Sequence, residues 1–137
     1  MKTLRHNLIR TILALTALLA NLSIPGHAVS EELASGRYLS GSGARIEVEL
    51  DISTPAPPLV IVIQNLPPGT RVTDSTPELM KYDADKGVAK WLLRGLKPGK
   101  FRITMQLDRS LHQGEVSGEI RCRDSGGNMV NRKISGN

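Results

Sequence analysis

Beyond residue 43 the chain alternates apolar and polar positions with a period of two, the signature of half-buried β-strands. Across 44–53, Ile46, Val48, Leu50 and Ile52 point one way, and Arg45, Glu47, Glu49 and Asp51 the other. Across 101–108, Phe101, Ile103, Met105 and Leu107 alternate with Arg102, Thr104, Gln106 and Asp108. Across 88–93, Ala89, Trp91 and Leu93 share a face; across 115–123, Val116, Gly118, Ile120 and Cys122 do. Shorter stretches at 70–74, 79–82 and 130–134 continue the pattern, and an edge strand is expected around 37–39. The run LVIVI at 59–63 is apolar at every position. It fits a central strand covered on both sides, or a short strand with one greasy exposed face.

Breakers separate these runs. Thr54-Pro55-Ala56-Pro57-Pro58 excludes helix and sheet interior, and Leu66-Pro67-Pro68-Gly69, Asp74–Pro77, Asp83–Gly87, Leu96–Gly99 and Asp124–Asn128 read as turns. No helical period occurs after residue 30. Six or seven short strands between Gly/Pro turns predict an antiparallel β-sandwich, because a single sheet would leave one apolar face wet. A small barrel or a jelly roll is the competing architecture.

The N-terminus follows a different pattern. Residues 1–10 carry Lys2, Arg5 and Arg10 and no acid, 11–24 are uncharged and largely apolar, and Pro25-Gly26-His27-Ala28 places small residues before a cut after Ala28. This order predicts a signal peptide at 1–28, because its apolar run is shorter than the roughly 20 residues of a spanning helix. The expected organisation is a signal peptide (1–28), a flexible leader (29–43) and a sandwich domain (44–137). The mature chain is expected to be exported, to the periplasm, the cell surface or the medium, with no membrane span.

Charge and composition narrow the chemistry. The 137 residues carry a formal net charge of +5. Loss of Lys2, Arg5 and Arg10 with the signal peptide brings bases and acids close to balance, which removes an electrostatic drive toward nucleic acid. The single cysteine, Cys122, excludes an intrachain disulfide. Its parity turns it inward as an inert core thiol; the alternative is an exposed thiol that pairs between chains. His112 is the only histidine beyond the signal peptide and sits in a polar stretch, so neither a zinc site nor a histidine-based triad is expected. Asp83 and Asp85 alternate as calcium ligands do, but Lys86 lies among them and no closing Glu follows, so hairpin chemistry is expected before weak calcium binding. The stripe Glu47, Glu49, Asp51 reads as a solvated sheet face without the cleft that acid–base chemistry needs. Trp91 reads as core.

The stretch 65–130 resembles the immunoglobulin-like repeat domains of bacterial and archaeal surface and cell-wall proteins. The likeness rests on Leu66-Pro67-Pro68-Gly69, Ser75-Thr76-Pro77, Tyr82-Asp83, Gly87, Trp91, Leu96-Lys97-Pro98-Gly99 and Gly114–Val116. It implies an Ig-like sandwich of about seven strands, used as a spacer, stalk or adhesion module, without catalytic residues or cofactors. A single copy without tandem repeats implies a separate subunit. The expected function is a non-enzymatic interaction or accessory subunit whose partner is another envelope or extracellular protein. Its contact surface is expected at the LVIVI strand and at the free edges beside the leader and the C-terminus. A module binding glycan or weakly binding Ca²⁺ is the alternative.

Overall fold

The computed structural model describes residues 32–136. The export segment expected over 1–28 lies outside the described residues. Nine strands follow in order: β1 (Ala34–Ser40), β2 (Gly43–Ile52), β3 (Leu59–Asn65), β4 (Val72–Thr76), β5 (Lys81–Asp83), β6 (Val88–Arg94), β7 (Gly99–Leu111), β8 (Ser117–Arg123) and β9 (Met129–Lys133). They form two antiparallel sheets, β1-β2-β7-β4 and β5-β6-β3-β8-β9. The expected β-sandwich is therefore present, with more strands than the pattern announced. The weakly patterned stretches are both strands: β5 covers three residues at the end of the expected 79–82 stretch, and β1 runs through the small and polar leader, longer than the edge strand expected there.

Each strand buries one parity, as alternation requires. Ile46, Val48, Leu50 and Ile52 of β2 and Ile103, Met105 and Leu107 of β7 point inward from the four-stranded sheet. Val60 and Val62 of β3, Ala89, Trp91 and Leu93 of β6, and Ile120 and Cys122 of β8 meet them from the other sheet. These side chains form one continuous core cluster. Burial of apolar surface at roughly 25 cal/mol per Å² is the main force holding the two layers together.

The motif residues join into one scaffold. At the turn after β3, the Leu66 N–H donates to Gly87 O at 2.7 Å and the Gly69 N–H to Ala84 O at 2.8 Å, zipping the LPPG turn onto the β5–β6 hairpin. Gly87 has φ +71°, and a Cβ there would lie 2.1 Å from Leu66 O, so no side chain fits. The Tyr82 hydroxyl donates to Thr70 O, and Thr70 Oγ1 in turn donates to Pro67 O at 2.7 Å. Trp91, fully buried, donates its indole N–H to Ser75 Oγ and Pro77 O, both at 3.0 Å. That bond fastens β4, in one sheet, to β6 in the other.

The edge between the N- and C-terminal strands is partly closed. The Tyr38 N–H donates to Ser135 O at 2.9 Å and the Ser135 N–H to Gly36 O at 3.0 Å, in a parallel bridge. The free edges expected there for strand addition are thus corrected: at Gly36–Tyr38 the backbone is already paired. Beneath this seam the Tyr38 hydroxyl donates to Gln64 Oε1 at 2.5 Å inside the core. Burial pushes the Tyr38 phenol well above its ordinary value, against the opposing pull of the Gln64 hydrogen bond, so it stays a donor. Gln64 Nε2 has no partner among the described residues, and Gly118 lies so close that a Cβ would sit 2.6 Å from it.

Candidate functional site

The individual chemical candidates take structural places. Cys122 is 4% exposed and unpaired on the inward face of β8. Burial pushes its thiol above the ordinary value, and the nearby Arg132 only partly offsets this. His112 is exposed in the β7–β8 loop, where its backbone N–H donates to Glu115 Oε2 at 2.6 Å. Asp83 Oδ1 accepts the Lys86 N–H at 3.2 Å, so that carboxylate caps its own turn. Among the described residues no group of three or more His, Cys, Asp or Glu side chains could hold a metal ion.

What remains are the two outer faces, and they differ. On the β1-β2-β7-β4 sheet the acidic stripe of β2 is matched by cations on β1, β7 and β2 itself. Arg37 Nη2 reaches Glu49 Oε1 at 2.8 Å, Lys100 Nζ reaches Asp51 Oδ2 at 2.8 Å, and Arg45 Nε reaches Glu47 Oε1 at 2.8 Å. The Arg37 hydrogen bond, with the charges of Arg37, Lys100 and Arg102, holds the Glu49 carboxyl below its usual range. Cross-strand register explains the match, since Arg37 faces Glu49, Glu49 faces Arg102 and Asp51 faces Lys100. A shallow polar depression of about 430 Å³ lies over Arg37, Glu49, Asp51 and Lys100. Its charges already satisfy one another.

The β5-β6-β3-β8-β9 sheet presents the outward parity of LVIVI. Leu59 and Ile61 are half-buried and Ile63 is 7% exposed, although among the described residues no third layer covers them. In register, Ile61 is flanked by Leu92 and Arg121, and Ile63 by Lys90 and Glu119, with Lys133 beyond. The long cationic stems lie beside the apolar side chains while their charged ends reach water. This face carries Lys81, Lys90, Arg94, Arg121, Arg123 and Lys133 against only Asp83 and Glu119. Arg121 pairs with Glu119 through Nε at 2.7 Å. Among the described residues, Lys81, Lys90, Arg94, Arg123 and Lys133 form no ion pair. Lys81 stands directly opposite Lys90, like charge against like.

Small hollows border the apolar stripe at both ends. One of about 200 Å³ is lined by Lys81, Asp83, Lys86, Val88 and Lys90, and one of about 50 Å³ is lined in part by Leu59, Ile61, Arg123 and Met129. The LVIVI strand was visible in the sequence as a candidate surface. Its basic frame was not, because the cations come from four strands that only sheet order brings together. Comparison with protein-family models, with curated proteins and with solved structures finds no match for this chain.

Proposed function

We propose that this chain is an exported, non-enzymatic, Ig-like β-sandwich that acts as an interaction or accessory subunit in the cell envelope or extracellular space. The contact surface is the outer face of the β5-β6-β3-β8-β9 sheet. The observation that carries this reading is the apolar strip of Leu59, Ile61 and Leu92 set among cations of which Lys81, Lys90, Arg94, Arg123 and Lys133 form no ion pair among the described residues. Such a surface keeps apolar area beside water and unneutralised charge close together, and a partner relieves both at once.

The strand order supports the Ig-like part. β1-β2-β7-β4 against β3-β8-β9 has the arrangement of the A-B-E-D and C-F-G sheets. One feature departs from it: the β5–β6 hairpin comes after β4 in sequence, yet β6 pairs beside β3. Export is supported by the N-terminal pattern of bases, apolar run and small residues before Ala28.

The test is site-specific photo-cross-linking in cells that export the chain. A photoreactive residue at Ile61 or Leu92 should give one discrete adduct, and the same residue at Thr104 or Arg102 on the opposite face should give none. Adducts from Thr104 alone, or from neither face, refute the assignment. Sequencing of the exported chain's N-terminus should begin at Val29.

A further inference from the structure

We propose that the partner surface is an acidic protein face, with apolar side chains at its centre and carboxylates along both flanks, that docks flat on the outer β6-β3-β8 surface. This rests on the interaction reading above and adds the chemistry of what is bound.

Charge comes first. On the opposite sheet Glu47, Glu49 and Asp51 each pair with a cation, whereas this one leaves Lys81, Lys90, Arg94, Arg123 and Lys133 unpaired among the described residues. The cross-strand Lys81–Lys90 pair costs the isolated fold stability, since like charges directly opposite repel. A carboxylate arriving between them would turn that repulsion into attraction. On the other flank Arg123 offers a guanidinium fork suited to a carboxylate, while Arg121 is already held by Glu119.

Shape comes second. Neighbouring strands stand roughly 4.8 Å apart, so the cations of β6 and those of β9 are separated by about 14 Å of sheet. Between them lie Ile61 and Ile63 of β3, with Leu92 beside Ile61 on β6, and the paired Glu119 and Arg121 of β8. A complementary surface is therefore a flat one with an apolar middle and acidic margins.

This pattern selects a protein over other polyanions. A hydrated anionic glycan would meet the cations but gain nothing from the aliphatic strip. A lipid surface would need apolar side chains that stand beyond the charges. Here Leu59, Ile61 and Leu92 are half-buried, and the face carries no aromatic residue.

The test uses the isotopically labelled full chain and three probes: a blocked peptide alternating Glu and Leu, polyglutamate of equal length, and phosphatidylglycerol-containing vesicles. The alternating peptide should shift amide resonances of β6, β3 and β8 and leave β2 and β7 unmoved. Its affinity should fall roughly tenfold from low to physiological salt. The double reversal K90E/R94E should weaken it by about tenfold or more, while R102E on the opposite face changes nothing. Both substitutions fall at solvent-facing positions, and unchanged far-ultraviolet dichroism would show that the variants fold. Equal binding of polyglutamate removes the role of the apolar strip and overturns the proposal, as does binding of vesicles but not peptide. If no probe binds while the Ile61 cross-link persists, the acidic chemistry is wrong and the interaction surface stands. Loss of the cross-link as well defeats both.

Discussion

Replacing Trp91 tests the packing that unites the two sheets. The side chain is fully buried in β6, and its indole N–H reaches across to Ser75 Oγ and Pro77 O, both at 3.0 Å. Trp91→Ala removes the largest fully buried side chain and leaves a cavity that the rigid strands can close only in part. The expected cost is about 3–5 kcal/mol. For a domain whose whole stability is about 5–15 kcal/mol, that loss brings the fold near its limit. The hydrogen bonds contribute the smaller share, because Ser75 Oγ also donates to Pro77 O at 2.6 Å and the carbonyl keeps a donor when the indole is gone. Trp91→Phe, which keeps most of the ring, should therefore cost about 1–2 kcal/mol, and Ser75→Ala about 1 kcal/mol. Urea unfolding followed by far-ultraviolet dichroism measures all three; fluorescence fails in the Trp91 variants because the chain has no other tryptophan. The order Ala, Phe, Ser75 variant in decreasing damage is the prediction. A Trp91→Ala loss below about 1 kcal/mol would refute the core assignment.

Further outcomes follow from the same structure. Tyr38→Phe alone strands Gln64 in the core and should cost about 1–3 kcal/mol, whereas Tyr38→Phe with Gln64→Met should be nearly neutral; additive losses in this double-mutant cycle would contradict the isolated buried pair. Gly87→Ala should destabilise by about 3 kcal/mol or abolish folding, since the added Cβ meets backbone 2.1 Å away at φ +71°, and a soluble variant with unchanged melting temperature counts against the zipped turn. Glu49 has a folded pKa below its unfolded one, so its contribution is present above the ordinary carboxylate value of about 4.3 and fades as pH falls through the lowered one. Glu49→Gln should make acid unfolding shallower in that window, and identical profiles would dismiss the Arg37 contact as a stabiliser. Cys122 should resist a thiol reagent in the native state and react on unfolding, because the side chain is buried and its thiolate disfavoured; rapid native labelling would place it outside the core.

The fold was legible where one face of a strand is buried and the other wet. Ile46 through Ile52 and Phe101 through Leu107 alternate without a break, and the structure places them as neighbouring strands β2 and β7. Legibility fell where strands lack that contrast. β1 runs through ASGRYLS, whose apolar members are too few to show a period, and its place is set by pairing with β2 and by the Ser135 bridge. β5 falls at 81–83, shifted from the expected 79–82, where the hairpin is zipped to the LPPG turn, a long-range constraint that the short local pattern does not contain. Glu47, Glu49 and Asp51 read as a solvated acidic stripe; the ions that neutralise it come from Arg37 and Lys100, far away in sequence.

The motifs and the surface divide along a physical line. The motif residues, from Leu66-Pro67-Pro68-Gly69 through Ser75-Thr76-Pro77 to Tyr82, Gly87 and Trp91, are engaged in hydrogen bonds and contacts that hold β4, β5 and β6 in place. A residue fully engaged in this way cannot also recognise a partner, so recognition falls to residues outside the motifs. The outward parity of β3, β6, β8 and β9 answers that condition. Those positions carry no burden of the core, and yet they are neither uniformly polar nor charge-balanced. A merely solvated sheet face would be expected to look like the β1-β2-β7-β4 surface, where Glu47, Glu49 and Asp51 each lie beside a cation. The two outer faces of this one sandwich therefore serve as each other's control. Their difference in charge pairing, within one fold, is the reason to place the contact on one side and not the other.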